Sequence, residues 1–593
     1  MPPDKRSHTC GELRATDVSK EVVLCGWVHR WRNHGGVIFV DLRDRYGITQ
    51  VVFRPSSNPS IQSRATSLRC EWVVCVKGRV FHRPEGMVNP NLETGGVEVE
   101  GEELEVLSTS KTPPFLIADD PGATEDLRLK YRYLDLRRSR LQNNLILRHK
   151  VYQATRNYLN DEGFLEVETP ILTKSTPEGA RDYLVPSREH KGSFYALPQS
   201  PQMYKQILMV AGFDRYYQIA KCFRDEDLRA ERQPEFTQID IELSFVDEDD
   251  IFALTEGLME HIFKEVLSVE IERPFPRISF ADAKVEYGTD KPDIRFGMRI
   301  RDLSDLLRGT GFRVFKGALE KEGVVRGINS PGSASFSRKE IDDLSQLGEK
   351  GGAKGLLWIK VTPEGAKSPL SKFITTEEME GIKGRLEARE GDLLLLVAGK
   401  EEDVSSSLGM LRQNLAERLN LIPGGDFRFC WVVDFPLFHY SEQEGRIESE
   451  HHPFTGVVPE DIPLLDSVPL RVRSRAYDLV LNGVEIGSGS IRIHQEEIQR
   501  KIFRILGFSP QEVKERFGFL LEAFQFGVPP HGGIAPGLDR LVMLMAGGKS
   551  IREVIAFPKT TAAFSLMDGS PSPVGEDQLK ELGIRVTRAL EDD

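Results

Sequence analysis

Over the first part of the chain, apolar residues come in short β-branched runs and not at helical spacing. Val22-Val23-Leu24-Cys25-Gly26-Trp27-Val28, Val37-Ile38-Phe39-Val40, Ile48-Thr49-Gln50-Val51-Val52-Phe53, Trp72-Val73-Val74-Cys75-Val76 and Leu104-Glu105-Val106-Leu107 follow in order, with Tyr46-Gly47 as a turn. Such a series predicts a small β-barrel of the OB type over residues 1–108. Thr112-Pro113-Pro114-Phe115 and Asp119-Asp120-Pro121-Gly122 then read as a hinge, 109–140. From Leu141 the period becomes helical. Leu147, Val151, Ala154 and Tyr158 share one face, and Gly163 is a natural stop. Strand-like runs follow at Phe194–Leu197, Tyr216–Ala220 and Phe236–Asp240, and predict an α+β domain with an antiparallel sheet.

That domain is expected in two parts, 141–297 and 426–593, the pattern resuming at Phe429-Cys430-Trp431-Val432-Val433. Between them, over 298–425, charged glycine-rich turns frame Leu356–Ile359 and Leu393–Val397, which predicts an inserted α+β domain without a catalytic constellation. The end, Glu576–Asp593, reads as a charged surface helix. The expected fold is multidomain α+β.

Composition narrows the class. A chain of 593 residues is too long for one core. No apolar run approaches the ~20 residues that span a bilayer, and Met1–Cys10 lacks the apolar stretch of a signal peptide; no membrane partner is expected. The 6 cysteines form no C-x-x-C pair and no zinc pattern, so reduced thiols in the cytoplasm are expected, with Cys70 and Cys75 as small buried hydrophobes. The net charge of −13 argues against a uniformly basic surface but not against local basic patches.

There is no P-loop and no kinase signature, so any phosphate chemistry falls to side chains. Two segments offer them. Cys222-Phe223-Arg224-Asp225-Glu226 through Gln233-Pro234-Glu235-Phe236-Thr237-Gln238 reads as strand, charged loop, strand; Gly537-Leu538-Asp539-Arg540 opens a helix on an arginine. Alone, each has an ordinary reading. Phe-Arg-x-Glu is usually a surface strand with paired charges, Lys205 a solvated helix lysine, Phe39 a core residue, and His451-His452 lacks further metal ligands.

In combination these segments resemble the second and third motifs of the class II aminoacyl-tRNA synthetases, and Gly163-Phe164-Leu165-Glu166-Val167-Glu168-Thr169-Pro170 resembles the first. Thr176-Pro177-Glu178-Gly179-Ala180-Arg181-Asp182-Tyr183, Gln199-Ser200-Pro201-Gln202-Met203-Tyr204-Lys205-Gln206 and Phe213-Asp214-Arg215-Tyr216-Tyr217 narrow the likeness to the bacterial aspartyl-tRNA synthetases, over nearly the whole chain. The resemblance implies a class II catalytic domain, ATP and L-aspartate as substrates, Mg²⁺, tRNA(Asp) as partner, and a homodimer built on the helix before Pro170.

It also implies roles. Arg224 would bind the α-phosphate and the substrate α-carboxylate, and Arg540 the γ-phosphate. Phe236 would lie under adenine, and Asp225, Glu226, Gln233, Gly537, Leu538 and Asp539 would line the nucleotide. Asp478 and Glu485 would hold Mg²⁺, Glu485 also meeting ATP. Lys205 and Arg492 would clamp the aspartate side chain; Glu178, Ser200, Gln202 and Asp240 would serve its ammonium group; His451 would approach the substrate. In the barrel Phe39 would stack on the anticodon, with Arg32 and Gln50 as base readers. His34 and Gly86 look like the residues of members that charge both tRNA(Asp) and tRNA(Asn), where stricter members tend to have leucine and lysine. The competing readings are a strict tRNA(Asp) enzyme, an asparaginyl- or lysyl-tRNA synthetase, and a non-catalytic tRNA-binding regulator. The Lys205–Arg492 clamp and intact Arg224, Glu485 and Arg540 speak against the last two.

Overall fold

The structure, a computed structural model, describes residues 5–55, 59–176, 180–229 and 231–587. The chain divides into two compact units, Met1–Ile146 with Ala556–Pro571, and Leu147–Ile555 with Ser572–Asp593.

The first unit holds strands β1 (Glu21–His34), β2 (Val37–Arg43), β3 (Ile48–Phe53), β4 (Val73–His82) and β5 (Val97–Ser108), closed into a barrel in the order β1-β2-β3-β5-β4. Period-2 alternation builds it: Val22, Leu24 and Val28 of β1 meet Ile38, Val40 and Leu42 of β2 inside. Strand β1 outruns its apolar stretch, because pairing with β2 carries it to His34. Gly35 and Gly36, at φ +59° and +86°, then make the tight two-residue turn of that hairpin. A helix, α1 (Pro59–Ser67), follows β3 without a sequence signal, since Ala65 is its one buried residue. The segment read as a hinge carries two short helices, Glu125–Lys130 and Arg132–Asp135. Fully buried Asp135 accepts from Arg132 at 2.9 Å and Arg138 at 2.8 Å.

The second unit is organised by an eight-stranded sheet. Helix α2 (Ser139–Asp161) enters it from Leu147 on and stops at Gly163, where φ is +78°. The strands are β6 (Leu165–Glu166), β7 (Arg215–Phe223), β8 (Glu235–Ser244), β9 (Arg277–Ser279), β10 (Phe429–Val433), β11 (Ala476–Leu481), β12 (Val484–Ile491) and β13 (His531–Pro536). Their order is β9-β10-β11-β12-β13-β8-β7-β6. Only the outer pairs, β6 with β7 and β9 with β10, run parallel. The run Phe194–Ala196 is a strand but pairs with Leu184–Pro186, outside this sheet. Helices α3 (Gln202–Val210) and α4 (Glu248–Leu267) flank the sheet, α4 capped at both ends of its first turn by Asp247 and Asp250. Trp431 stacks on Phe252 at 4.3 Å in the core.

Between β9 and β10 the chain forms a separate antiparallel sheet of Arg301–Asp302, Val324–Ser330, Leu393–Gly399, Leu357–Thr362 and Gly365–Lys367. Its leucine run feeds two cores: Leu393, Leu395 and Val397 face one side, Leu394 and Leu396 the other. Helix α5 (Glu401–Arg418) covers the first side with Leu408, Leu411 and Leu415. Helix α6 (Leu538–Met545) follows β13. The charged end carries a helix, Glu576–Leu582, with no buried residue. Among the described residues no helix is long and apolar enough to cross a membrane.

Candidate active site

Strand β8 sets the site by alternation. Thr237, Ile239, Ile241 and Leu243 are buried on one face, which leaves Phe236, Gln238, Asp240 and Glu242 on the other. Asp240 and Glu242 are completely buried all the same. Lys205, projected from α3 and 2% exposed, bonds Asp240 Oδ1 at 2.7 Å and lies 3.2 Å from Glu242 Oε2. Arg492, just past β12, meets Glu242 with both fork nitrogens, at 2.9 and 3.0 Å, and donates to Ser490 Oγ at 2.6 Å. Glycine makes this possible: a Cβ on Gly533, opposite Glu242 on β13, would sit 2.1 Å from Glu242 Oε2.

The reading of Lys205 as a solvated helix residue is therefore corrected; its helix turns it into the sheet, where two carboxylates compensate it. Burial pushes the Glu242 carboxyl up, but Arg492 and Lys205 outweigh burial and hold it at about 2. Burial dominates for Asp240, whose carboxyl is raised although Lys205 opposes it. Among the described residues Asp240 Oδ2 is a buried oxygen with no hydrogen-bond partner.

A second cluster lies on β11 and β12. Asp478 and Glu485 flank the Asn482-Gly483 turn, whose residues at φ +54° and +80° fold the hairpin tightly. Glu485 Oε2 is 3.0 Å from Lys291 Nζ, and Arg540, from the first turn of α6, donates to the Glu485 carbonyl at 2.8 Å and lies 3.7 Å from Oε1. Burial followed by the Glu485 charge pushes the Asp478 carboxyl well above its ordinary range. For Glu485 burial acts upward too, but Lys291 and Arg540 bring the result below the ordinary range. His451 lies 3.1 Å from Ser488 Oγ and 3.5 Å from Asp478 Oδ1, and burial lowers its imidazole to about 4. Among the described residues Asp478 Oδ1 has no hydrogen-bond partner. Two adjoining carboxylates, one with a buried oxygen left over, fit a hard divalent cation such as Mg²⁺. Among the described residues no group of three or more ligating side chains converges.

The loop between β7 and β8 carries the remaining candidates. The Arg224 guanidinium lies 5.0 Å from the Phe236 ring centroid. Glu226 pairs with Arg232 at 2.9 Å, Gln233 is buried, and Asp225 bridges to Arg181 through the backbone. The Gly537 amide donates to Ile486 O at 2.6 Å, which brings the start of α6 against β12. Leu538 is packed in the sheet core, and the Asp539 carboxylate is spent on Arg148 and on the Thr237 amide at 2.7 Å. Both residues anchor the helix that presents Arg540.

Gln202 is buried and bonds Gln206 at 3.1 Å, whose amide lies 3.0 Å from His531 Nε2. Ser200 lines a small pocket with Thr173, Gln199 and Tyr204. Glu178 lies outside the described residues.

In the barrel the core reading of Phe39 is corrected: its neighbours Ile38 and Val40 point inward, and its half-buried ring lies 6.1 Å from that of His34 on the outer face. Arg32 pairs with Asp41 at 3.1 Å, and Gln50 donates to Glu98 at 3.1 Å. Gly86 is exposed at φ +78°, with open space where a side chain would stand.

Two residues were missed by sequence reasoning, Glu242 and Lys291. The alternation Asp240-Ile241-Glu242 was a legible sign that the two carboxylates share a face. Nothing local in Asp290-Lys291-Pro292 points to Glu485.

Comparison with known proteins shows the family of the chain. Residues 124–561 match the family described as tRNA synthetases class II (D, K and N), and residues 22–107 match the OB-fold nucleic acid binding domain. The chain is 56% identical over 582 residues to the aspartate–tRNA(Asp/Asn) ligase of Caldanaerobacter subterraneus subsp. tengcongensis, covering 98% of each chain. It is also 56% identical to the ligase of the same name from Moorella thermoacetica, over 98% of this chain and 97% of that one. Among solved structures, asparaginyl-tRNA synthetase from Pyrococcus horikoshii complexed with asparaginyl-adenylate aligns with a TM-score of 0.59 at 20% identity, covering 93% of this chain and 98% of the other; at that identity the likeness concerns the fold.

Proposed function

The chain belongs to the class II tRNA synthetases of the D, K and N kind, and on that premise we propose that it joins L-aspartate to the 3′ end of tRNA with ATP, through an aspartyl-adenylate. The observation that carries the choice of amino acid is the buried quartet Lys205, Asp240, Glu242 and Arg492. Two cations held in place by two carboxylates form a rigid donor wall, and a substrate carboxylate supplies acceptors for it. The amide of asparagine would set an NH₂ donor against donors, a mismatch of about several kcal/mol. Asp240 Oδ2, without a hydrogen-bond partner among the described residues, is suited to the substrate ammonium, with Gln202, Ser200 and Glu178 as further candidates for that group.

In the first step an α-carboxylate oxygen of aspartate bonds to the α-phosphorus of ATP, and the bond to the pyrophosphate oxygen breaks. Arg224 balances charge at the α-phosphate and Arg540 at the γ-phosphate. Phe236 offers its face to adenine beside Asp225, Glu226 and Gln233. Asp478 and Glu485 would hold Mg²⁺, which when bound screens the triphosphate. His451, kept neutral by burial, adds no charge against it. The 3′-terminal ribose hydroxyl then attacks the acyl carbon and AMP leaves. Most of the rate comes from positioning and fixed charge.

The barrel face of Arg32, His34, Phe39 and Gln50 reads the anticodon by stacking and edge hydrogen bonds. His34 and Gly86 favour acceptance of both tRNA(Asp) and tRNA(Asn), as the relatives' names also suggest. Exposure of Leu165, Ile171 and Leu172, at 53, 52 and 52%, supports a homodimer through the segment around Pro170. The cytoplasm is the compartment of this reading. The test is aspartylation of purified tRNA(Asp) and tRNA(Asn) transcripts with ATP, Mg²⁺ and labelled aspartate. Charging of both is expected; charging of tRNA(Asp) alone discards the dual reading, and charging of neither overturns the proposal.

A further inference from the structure

The segment that leads from the catalytic sheet into the inserted sheet passes through the nucleotide site. It reads Gly288-Thr289-Asp290-Lys291-Pro292-Asp293-Ile294-Arg295-Phe296-Gly297-Met298. Lys291 Nζ lies 3.0 Å from Glu485 Oε2, while Arg540 Nη1 is 3.7 Å from Glu485 Oε1. The two cations thus hold opposite oxygens of one carboxylate, and Lys291 has the shorter contact. Removing it would leave Glu485 to Arg540 alone, drawing the guanidinium away from a phosphate.

The same segment is fastened from the other side by the inserted domain. Arg412, on α5, is 2% exposed. Its Nη2 donates to the carbonyls of Asp293, Phe296 and Gly297 at 2.9, 3.0 and 2.9 Å, and its Nε to Met298 O at 3.2 Å. The guanidinium stacks 4.0 Å from the centroid of Phe296. Asp293 packs on the Asn482-Gly483 turn that presents Glu485, with its Cβ 3.1 Å from where a side chain on Gly483 would begin. Only a guanidinium can satisfy four carbonyls from one buried position while its flat face stacks on a ring.

We propose that Lys291 is a positioning residue of the nucleotide site, which takes the greater share of the Glu485 carboxylate and so limits its hold on Arg540, and that Arg412 of the inserted domain fixes Lys291 there. This rests on the functional reading above and gives the inserted domain a task at the nucleotide site.

The test uses full-length protein with ATP binding by calorimetry, aspartate binding by the same method, and aspartate-dependent ATP–pyrophosphate exchange. Lys291→Met is expected to weaken ATP binding about ten- to a hundredfold and to raise the ATP KM in step, with aspartate binding unchanged. Lys291→Arg, which keeps a cation beside Glu485, restores most of it. Arg412→Lys keeps the charge but not the fork, and is expected to weaken ATP binding about tenfold in the wild-type background and hardly at all in the Lys291→Met background. Circular dichroism and the melting curve check that the fold is kept; if Arg412→Lys unfolds the inserted domain, Arg412→Gln takes its place. Unchanged ATP affinity in Lys291→Met, with wild-type exchange intact, overturns the positioning role and leaves the functional reading standing. Additive effects in the double variant overturn the link through Arg412, and a wild-type protein that binds no ATP sinks both the inference and the reading beneath it.

Discussion

Replacing Glu242 with glutamine removes one charge and almost no volume. In the native site the carboxylate accepts both fork nitrogens of Arg492 and lies 3.2 Å from Lys205, with no exposure to water. A carboxyl held at about 2 in place of its ordinary 4.5 carries roughly 3 kcal/mol of folding free energy at neutral pH. The independent expectation for breaking one side of a buried ion pair is about 3–5 kcal/mol, of the same size. The sign follows from the direction of the shift. The folded value lies below the unfolded one, so the contribution is whole above the ordinary 4.5 and is lost as the pH falls toward 2. Glu242→Gln should therefore lose about 3 kcal/mol at pH 7 in urea titration of the catalytic unit, and should flatten the acid limb of stability below pH 4.5. The aspartate KM should rise far more than the ATP KM, because Arg492 loses the partner that orients it. Adding Arg492→Leu in the glutamine background should cost much less than in the wild type. A variant within about 0.5 kcal/mol of wild type, with an unchanged acid limb, would refute the picture of a preassembled buried quartet.

Gly533→Ala places a methyl 2.1 Å from both Glu242 Oε2 and Ile241 O; a loss of about 3 kcal/mol in the melt and a raised aspartate KM are expected, and a neutral outcome would mean that the strands are not so close. Asp539→Asn removes the charge that holds Arg148 and weakens the acceptor of the Thr237 amide, so it should cost about 3 kcal/mol and raise the ATP KM, measured by unfolding and by pyrophosphate exchange. Arg224→Ala should lower that exchange at least ~100-fold with an unchanged circular dichroism spectrum, and near-normal exchange would remove it from the mechanism. His34→Leu with Gly86→Lys should depress charging of tRNA(Asn) transcripts while sparing tRNA(Asp), at a cost of about 1 kcal/mol for a side chain at φ +78°.

What was legible in the chain follows the range of the interactions involved. The barrel strands and the leucine run of the inserted sheet could be read because alternation or unbroken apolarity is written locally, one residue after the next. Helix α1 could not, since a single buried alanine leaves hardly any pattern, and the turn that ends β1 rests on backbone freedom at Gly35 and Gly36. At the site, Arg224 and Arg540 were found through their motifs, but what each does depends on partners far away in sequence. Arg540 is tethered to Glu485 and Asp539 to Arg148, contacts that only the assembled fold brings about. Lys205 marks the limit most clearly. Its helix alone makes it a surface lysine; Asp240 and Glu242, two strand positions on one face, turn it into a buried cation. On the proposed reading, the charges that would choose the substrate are set less by Lys205 and Arg492 than by the carboxylates behind them. A substitution at Asp240 or Glu242 should then alter amino-acid recognition as much as one at Lys205 or Arg492.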